Sequence, residues 1–498
     1  MRLINVHTLE ISTFADSEVP LYAALSHRWG RDEVEYHEFT DASARNKAGF
    51  AKIQNVCREV RDWSWSFKRR PPHGHTEQHR CERVHWVWID TCCIDKRNFT
   101  EYAEAITSMW AWYKSAAFCI VYLRDVKQYK LRRDTLTAVR DSEWFERGWT
   151  LQELLAPRTL FFYSNNWKQV GSSAESDLME TISRASGIPA RCMGNRGVKM
   201  KDISVAKRMS WASGRKTTKP EDLACCLLGM FEVYMPLMYG EGFRVAFQRL
   251  QRTIIECYDD ESIFAFTPQS GQDGVLATNL RDFANCGNVI KCTRQQRLAY
   301  SISNRGLQFN ATAIDVGSTI GSRRPRRRYA IDLNCAKQVS GDTKPVMCTL
   351  GLKRKGSRFI RDPEIERVFE AVSKAGVERR LNRGTWEWIP SQWFYIHVSK
   401  SGRSRRQREI VEEPDTVSGI FSKAIDWLSS HYPLEAFGLR PRPLDHTIAD
   451  PGRNLTHGQG KDILGKPHGH PDIPSQYTAK VSAVSFCSPG AQIPVPVY

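Results

Sequence analysis

The sequence predicts an α/β protein whose main sheet is parallel and is followed by a β-rich second domain. Up to about residue 260, short apolar segments alternate with segments of helical periodicity. Strands that are buried on both faces, as in parallel sheets, appear as short apolar runs of this kind. After Pro268 the segments alternate between apolar and polar residues and are rich in β-branched and aromatic side chains, which favours a second, β-rich domain.

Four apolar segments are predicted to form the first sheet. They are YAALS, HWVWID, AAFCIVYL and TLFFYS, at 22–26, 85–90, 116–123 and 159–164. Two helical segments, ARNKAGFAKIQNVCREVRDW and EYAEAITSMWAWY, lie between them. In the second helix Tyr102, Ile106, Met109 and Tyr113 fall on one face. Strand–helix–strand alternation favours parallel pairing with helices added around the sheet.

Helical spacing continues from residue 174 to residue 258, in SVAKRMSWAS, PEDLACCLLGMF and GEGFRVAFQRLQRTIIECY. Strands of the second domain are predicted in YSISNRGLQFNATAIDV, RRYAIDLNCAK, VMCTLGLKRKG and QWFYIHVSK. From about residue 437, Pro, Gly and His dominate, as in a disordered tail. We therefore predict three parts: 1–260, a β-rich basic domain at 261–436, and a Pro/Gly-rich tail at 437–498.

Positive charge is concentrated in the second half of the chain. The 498 residues carry a formal charge of +17. Residues 1–267 hold 38 Lys+Arg and 34 Asp+Glu, whereas the remainder holds 34 and 21. The basic runs RRPRRR (323–328) and RSRRQR (403–408) lie beside predicted strands, so we expect exposed loops. Such charge attracts nucleic acid, anionic lipid or acidic proteins without specifying which.

Several kinds of site and segment are disfavoured by the sequence. The 14 cysteines form no CxxC framework, and the adjacent pairs Cys92–Cys93 and Cys225–Cys226 bridge only with strain, which predicts reduced, mostly buried thiols. The His- and Cys-containing segment at 67–85 resembles an inserted loop and matches no standard zinc spacing, so we expect no metal. The sequence also contains no GxxxxGK[ST] phosphate-binding loop.

No stretch of the chain reaches the roughly 18 apolar residues that a membrane helix needs. The start, MRLINVHTLE, contains no apolar signal core. We therefore expect a cytoplasmic protein without a membrane span. The basic runs are also compatible with import into the nucleus.

Unusual polar residues follow the predicted strands of the first sheet. SHRWG follows the first strand, an aspartate follows the second, and WFERGWTLQELLAP (144–157) begins a helix after the third. In open parallel sheets, ligands bind beyond the carboxyl ends of the strands. The candidate site residues that this geometry places in one crevice are Ser26, His27, Trp29, Asp90, Arg147 and Glu153.

Each of these residues also has a structural interpretation. His27 can be a buried histidine bonded to backbone, Asp90 can cap the turn after its strand, and Trp144 and Trp149 can be core residues. The segment from Thr150 to Glu153 fits a capping box, with Thr150 as N-cap and Glu153 bonding back to its amide. From the residues alone, this capping role is favoured over a catalytic role.

Five motifs together resemble the heterokaryon-incompatibility (HET) domain of filamentous fungi. They are YAALSHRWG, VWIDTCCIDK, SEWFERGWTLQELLAP, TTKPEDLACCLLGMF and PLMYGEGFRVAFQRLQ, and they follow the family order across roughly residues 20–256. DESIFAF and GVLATNLRDFANC resemble the extension that often follows this domain. The resemblance implies a role in non-self recognition and programmed cell death. It also implies self-association through the HET domain and an unidentified recognition partner.

The HET domain is considered a distant relative of Toll/interleukin-receptor (TIR) domains, so the resemblance implies a flavodoxin-like sheet. Some TIR domains hydrolyse NAD with a glutamate in a WCLDEL-like segment. WTLQEL aligns with that segment without gaps and places Trp149 on its tryptophan and Glu153 on its glutamate, although Thr150 replaces the cysteine. Lengthened segments at 67–85 and 124–143 are further departures.

The chemistry implied by the TIR resemblance uses NAD as a substrate and requires no cofactor. A carboxylate at Glu153 would stabilise the oxocarbenium charge, and the start of a helix would keep that carboxylate ionised. Trp29 or Trp149 would stack on nicotinamide or adenine, and Arg147 would meet the pyrophosphate. Ser26, His27 and Asp90 would line the same pocket.

Three functions therefore stay open at the level of sequence. The first is a HET-type death effector that consumes NAD, and the second is a non-catalytic assembly module that recruits partners. The third is nucleic-acid binding through the basic second half. The third is the weakest, because RRPRRR has no interleaved aromatic residues on which bases could stack.

Overall fold

A computed structural model describes residues 1–67, 83–194, 198–268, 272–292, 297–318, 327–338, 345–371, 374–382 and 386–398. These residues belong to one compact unit, Met1–Arg406. Most of the inserted loop predicted at 67–85, the run RSRRQR, the first four residues of RRPRRR and the predicted tail lie outside the described residues. The domain boundaries at residues 260 and 436 stay predictions. Among the described residues, no helix is both long enough and apolar enough to cross a membrane.

The first part of the described chain is built on a sheet in the order β2-β1-β4-β3-β5-β6-β7. Its strands are β1 (Arg2–Asn5), β2 (Ile11–Thr13), β3 (Tyr22–His27), β4 (Trp86–Trp88), β5 (Phe118–Tyr122), β6 (Leu160–Tyr163) and β7 (Gln169–Ser172). The four strands predicted from apolar segments are confirmed as β3, β4, β5 and β6, and they pair in parallel. The antiparallel strands β1, β2 and β7, of which β2 and β7 form the edges, were not predicted.

The order of the four parallel strands determines where a ligand crevice can form. Their spatial order is β4-β3-β5-β6. Numbered along the chain, this is 2-1-3-4, the arrangement of flavodoxin-like sheets. From β3 the chain first forms β4 on one side and then crosses to form β5 on the other side, so β3 and β5 border the point where the strand order reverses. Such switch points, outside the carboxyl ends of the strands, are where open α/β sheets bind their ligands.

Helices connect these strands and extend the first part. They are α1 (Ala48–Phe67), α2 (Phe99–Ser115), α3 (Arg132–Arg140), α4 (Thr150–Leu155), α5 (Ser176–Ser186), α6 (Val205–Ser210), α7 (Asp222–Cys225), α8 (Leu228–Phe231) and α9 (Phe243–Cys257). In α2, Ile106, Met109 and Tyr113 are buried, as the periodicity predicts, and the Asn98 side chain caps the start. PEDLACCLLGMF forms two short helices rather than one. A Cβ on Gly229 would lie 2.2 Å from the Cβ of Trp110, so glycine permits α8 to pack closely on α2.

The second part of the described chain is β-rich, as predicted. Its strands are β8 (Val289–Lys291), β9 (Ser301–Ser303), β10 (Gly306–Ser318), β11 (Arg327–Lys337), β12 (Val346–Lys355), β13 (Arg358–Arg361) and β14 (Glu387–Ile396). Because β10 pairs with both β14 and β11, the strands from β10 to β14 close into a ring. Two helices not predicted from the sequence, α10 (Pro363–Ala371) and α11 (Lys374–Asn382), lie between β13 and β14.

The segment Asp260–Ser262 connects the two parts. The Asp260 carboxylate accepts a hydrogen bond from the Val205 amide (2.9 Å), and the Ser262 hydroxyl accepts one from the Ala206 amide (3.1 Å) at the start of α6. On the other side, Glu261 forms a 2.6 Å ion pair with Arg297 and accepts from the Asn334 amide of β11 (2.7 Å). Buried apolar side chains of both sheets belong to one continuous core.

We expect Glu261→Ala to lower the free energy of unfolding by about 3–5 kcal/mol, because it leaves the buried Arg297 guanidinium without its carboxylate. Both side chains are less than a tenth exposed. Urea unfolding measures the effect. The matched control is Glu256→Ala at the exposed end of α9, which should change stability by about 0.5 kcal/mol or less. Equal effects of the two substitutions would contradict this connecting role.

Candidate functional site

The candidate site lies at the carboxyl ends of β3 and β4. Ser26 and His27 are the last two residues of β3, and Asp90 follows β4 by two residues. The parallel register pairs Ala24 of β3 with Trp88 of β4, so the two strands end side by side. Helix α4 then places Glu153 against the end of β3. The predicted crevice residues therefore lie at the carboxyl ends of β3 and β4, beside the switch point between β3 and β5.

Glu153 is buried and is bonded to β3. All six residues of α4 are buried, and Glu153 is only 2% exposed. The Ser26 hydroxyl donates to Glu153 Oε2 (2.5 Å), and the Trp144 indole N–H donates to the same hydroxyl oxygen (3.0 Å). Trp144, Ser26 and Glu153 thus form a continuous hydrogen-bonded chain inside the molecule.

The capping-box interpretation of Glu153 is wrong. Helix α4 begins at Thr150 itself, and the N-cap position is Trp149, whose side chain makes no capping bond. The Thr150 hydroxyl lies 2.6 Å from the Trp144 carbonyl oxygen and accepts from Arg215 Nη1 (2.9 Å). The Thr150 hydroxyl therefore does not cap α4, and the Glu153 carboxyl bonds with the Ser26 hydroxyl rather than with the Thr150 amide.

The expectation that the helix start keeps Glu153 ionised is also wrong. Burial raises the pKa of Glu153 to about 8, and the nearby Asp90 carboxylate adds to the rise. The Ser26 hydrogen bond and the charges of Arg147 and Arg215 act in the opposite direction. A helix terminus contributes only about 0.3–1 kcal/mol at an exposed site, whereas each pKa unit corresponds to about 1.4 kcal/mol. Burial therefore dominates, and the carboxyl is mostly protonated at neutral pH.

Trp29 joins Asp90 to two cations. Its indole N–H donates to Asp90 Oδ2 (2.8 Å). The Lys96 ammonium lies 3.7 Å from the centre of the Trp29 ring, and the Arg147 guanidinium lies 4.9 Å from it. Lys96 was not predicted as a site residue, although it ends the motif VWIDTCCIDK. A planar ligand can stack on Trp29 only where these cations leave a ring face free.

His27 is buried beside two carboxylates. Its Nε2 lies 3.7 Å from Glu33 Oε2 and its Nδ1 lies 3.9 Å from Asp90 Oδ1, both beyond hydrogen-bond distance. Burial lowers the pKa of His27, so the imidazole is neutral. Burial alone would raise the pKa of Glu33, but the Lys52 ammonium, whose Nζ lies 2.5 Å from Glu33 Oε1, lowers it. Glu33 and Lys52 were missed, because they lie in charged segments without a recognisable motif.

Trp149 lies in a second group of residues. Its indole N–H donates to Asp222 Oδ2 (3.2 Å), and the Tyr239 hydroxyl donates to Asp222 Oδ1 (2.9 Å). The Tyr239 ring stacks on Tyr102 with 6.2 Å between centroids. The structure therefore gives Trp149 a hydrogen-bonded partner away from Ser26 and Asp90, unlike the other predicted binding residues.

Gly148 in WFERGWTLQELLAP allows the backbone of this stretch to lie close to Lys216 and Thr217. The Gly148 amide donates to the Lys216 carbonyl oxygen (2.8 Å), and a Cβ at this position would lie 2.5 Å from Thr217 Cγ2. The neighbouring Arg147 carbonyl oxygen accepts from Arg215 Nη1 (2.8 Å). The stretch therefore combines a buried indole, a close contact and a buried carboxyl within 14 residues.

The thiols and acidic groups show no sign of a metal site in the described part of the chain. No group of three or more His, Cys, Asp or Glu side chains there has a suitable arrangement. The adjacent pairs Cys92–Cys93 and Cys225–Cys226 are buried and free, as predicted.

We expect Glu153→Gln to gain stability relative to the wild type as pH rises from about 5 to about 8. Folding raises the pKa of Glu153, so the protonated carboxyl stabilises the folded wild-type protein. This stabilisation is fully present below the pKa of the unfolded chain and is lost as the pH rises to the pKa of the folded protein. The difference should grow by about 1.4 kcal/mol per pH unit in this window. Urea unfolding at pH 5, 6, 7 and 8 measures it. A difference that does not change with pH would show that Glu153 titrates normally.

Residues 22–132 match the model of the family described as "Heterokaryon incompatibility protein (HET)". "Vegetative incompatibility protein HET-E-1" of Podospora anserina is 41% identical over 243 residues, which is 48% of this chain and 16% of the relative. The match therefore spans about a sixth of the relative's length. No solved structure matches the chain. The family match shows that residues 22–132 are similar to a HET domain, and the relative is similar to this chain over a longer stretch of 243 residues.

Proposed function

We propose that this chain acts in heterokaryon incompatibility, as an effector of non-self recognition and programmed cell death. Support comes from the family match at residues 22–132 and from the relative named for vegetative incompatibility. The family match includes Ser26, His27, Trp29 and Asp90 of the candidate site, whereas Arg147 and Glu153 lie beyond its end at residue 132. The recognition partner is a protein that the sequence does not identify.

The reaction that we assign to this site is hydrolysis of NAD. The observation that carries the proposal is a buried carboxyl, Glu153, at the switch point of a flavodoxin-like sheet, with Ser26, Asp90 and Arg147 nearby. In the reaction, the bond between the nicotinamide nitrogen and ribose C1′ breaks, and nicotinamide leaves with the electron pair. Water adds to C1′ and releases a proton. A carboxylate beside C1′ stabilises the oxocarbenium charge that develops.

The raised pKa of Glu153 is compatible with this role when the substrate is bound. The nicotinamide ring of NAD carries a positive charge, and a nearby positive charge favours the ionised form of a carboxyl group. Substrate binding would therefore promote loss of the Glu153 proton at the stage where a carboxylate is needed. Because Glu153 is 2% exposed, NAD reaches it only after surrounding side chains move. Self-association of HET domains is the trigger that we propose for this opening.

Arg147 and Lys96 are the cations that we assign to the diphosphate. Both contact the ring of Trp29, which is held by Asp90. Arginine suits two-pronged contacts with phosphate oxygens, and lysine acts as a point charge. A diphosphate that draws these cations away would free the faces of Trp29 for stacking on a base or on nicotinamide.

A non-catalytic assembly module is the second candidate function. It is favoured by exposed apolar side chains near the start of α2 and in the segment before Tyr239. Phe99 is 57% exposed, Tyr234 77% and Met238 54%, and the Phe99 ring lies 6.5 Å from the ring of Tyr239. Such residues suit contacts between protein copies. In this alternative, Glu153 serves only to bond α4 to β3.

We expect Glu153→Gln to lose NAD cleavage by at least about 100-fold, because glutamine keeps the neutral shape of the buried side chain but cannot become a carboxylate. Nicotinamide release by purified full-length protein, dilute and concentrated, measures the loss. Glu146→Gln is the matched control, since Glu146 lies in the same stretch and is exposed.

Wild-type cleavage by folded Glu153→Gln protein would remove Glu153 from the mechanism. Normal cell killing without any loss of NAD would favour the assembly module instead. Release of nicotinamide only by concentrated protein would support activation by self-association.

The pH profile of cleavage gives an independent check. We expect kcat/KM to rise about tenfold per pH unit below about 8 and to level off above it, because this parameter reports the titration of the free enzyme. The group that titrates is Glu153, which must be ionised to stabilise the developing positive charge and whose pKa burial raises to about 8. A plateau that begins near pH 5 would indicate that an unperturbed carboxylate carries the reaction.

A further inference from the structure

Strand β14 presents aromatic side chains to solvent. Trp388 is 59% exposed and Trp393 is 45% exposed, although tryptophan is usually well buried. Tyr395, two residues beyond Trp393, is half-buried. We call the surface formed by Trp388, Trp393, Tyr395, Gln308 and Asn310 the aromatic face.

The strand register places the three rings on one side of the sheet. Tyr395 is opposite Gln308, Trp393 is opposite Asn310, and Trp388 is opposite Ile314. Gln308 and Asn310 alternate with Leu307, Phe309 and Ala311, which are buried in the main core. Ile314, on the same side of β10 as Gln308 and Asn310, is buried in a second apolar cluster with Ile365 and Phe369. Side chains two residues apart on a strand are about 7 Å apart on the same face.

A bulge in β14 makes this arrangement possible. Trp388 and Trp393 are five residues apart, which would place them on opposite faces of a regular strand. Between the pairs Ala311–Gln392 and Ala313–Ile389, however, β14 has one more residue than β10. The additional residue reverses the alternation, so both indoles point outward.

Neutral hydrogen-bonding groups lie beside the rings. The Ser391 hydroxyl donates to Asn310 Oδ1 (2.6 Å), and Gln308 Nε2 donates to Ser303 Oγ (3.2 Å). Amide side chains can donate and accept at the same time. These groups therefore suit a ligand that carries polar edges around a flat ring.

Cations border the Tyr395 end of the aromatic face. Phe359 of β13 pairs in parallel with Ile396, so Arg358 lies beside Tyr395, and Lys355 of β12 is opposite Arg358. Arg358 and Lys355 are both exposed, and neither forms an ion pair with a carboxylate of the described residues. Glu387 begins β14 at the other end. A bound anion is therefore favoured near Tyr395.

We propose that the aromatic face binds single-stranded nucleic acid. Bases would stack on Trp393, Trp388 and Tyr395, and phosphates would meet Arg358 and Lys355. The positive charge of residues 268–498, with 34 Lys+Arg against 21 Asp+Glu, favours a polyanion over a neutral glycan. A duplex fits less well, because its base faces are already stacked.

Fluorescence anisotropy with labelled 20-nucleotide oligo(dT) and oligo(U) tests the proposal on the full-length chain. We expect Trp393→Ala to weaken binding about 5- to 100-fold, as measured for base–aromatic stacking. Trp393→Phe should retain most of the affinity because it keeps an aromatic ring. Tyr234→Ala is the control, since Tyr234 is 77% exposed but lies in the first part of the chain; it should bind as the wild type does.

The salt dependence of binding separates the contribution of base stacking from the contribution of charge. Combining Arg358→Ala with Lys355→Ala should reduce the slope of log K against log salt by about 1.4, or about 0.7 for each lost phosphate contact. The Trp393→Ala loss should persist at high salt. Wild-type affinity in a folded Trp388→Ala/Trp393→Ala protein would overturn the proposal. It would also be overturned if the wild-type protein bound neither oligonucleotide, or bound only a neutral glycan.

Discussion

The hydrogen bond between Ser26 and Glu153 joins the centre of the parallel sheet to the short helix α4. It brings together residues 127 positions apart in a place where water does not enter. Around it, Arg215 holds the backbone before α4, and Trp144 completes the hydrogen-bonded chain. Most polar groups that are buried this deeply in proteins are hydrogen-bonded, because an unbonded one costs stability. The site and the packing of α4 on β3 therefore depend on the same contact.

The parallel core was predictable because its buried strands have a distinctive sequence pattern. Strands such as Phe118–Tyr122, which are buried on almost every residue, appear as unbroken apolar runs. The edge strand Ile11–Thr13 is half-exposed and only three residues long, so no run or alternation marks it. The helix Pro363–Ala371 was missed for a different reason: it is short and is inserted within a segment dominated by strand patterns. The ring closure through β10 and β11 depends on contacts between distant strands.

The candidate site was only partly predictable. Ser26, Asp90 and Glu153 follow or face strand ends, and the parallel topology alone brings them together. The charge state of Glu153 was not predictable, because it depends on how much water the fold removes from the carboxyl group. The direction of the Trp149 indole depends on Asp222, which is 73 residues away in the chain. Lys96 is close to Asp90 in sequence, but its position over Trp29 becomes visible only in three dimensions.

The raised pKa of Glu153 also has a calorimetric consequence. In the unfolded chain this carboxyl is ionised at pH 7, whereas in the folded protein, where burial raises its pKa, it is mostly protonated. Folding at neutral pH therefore takes up protons from the buffer at this position. The heat of unfolding consequently includes the ionisation enthalpy of the buffer, and it differs between phosphate and Tris solutions even when the protein and the pH are the same.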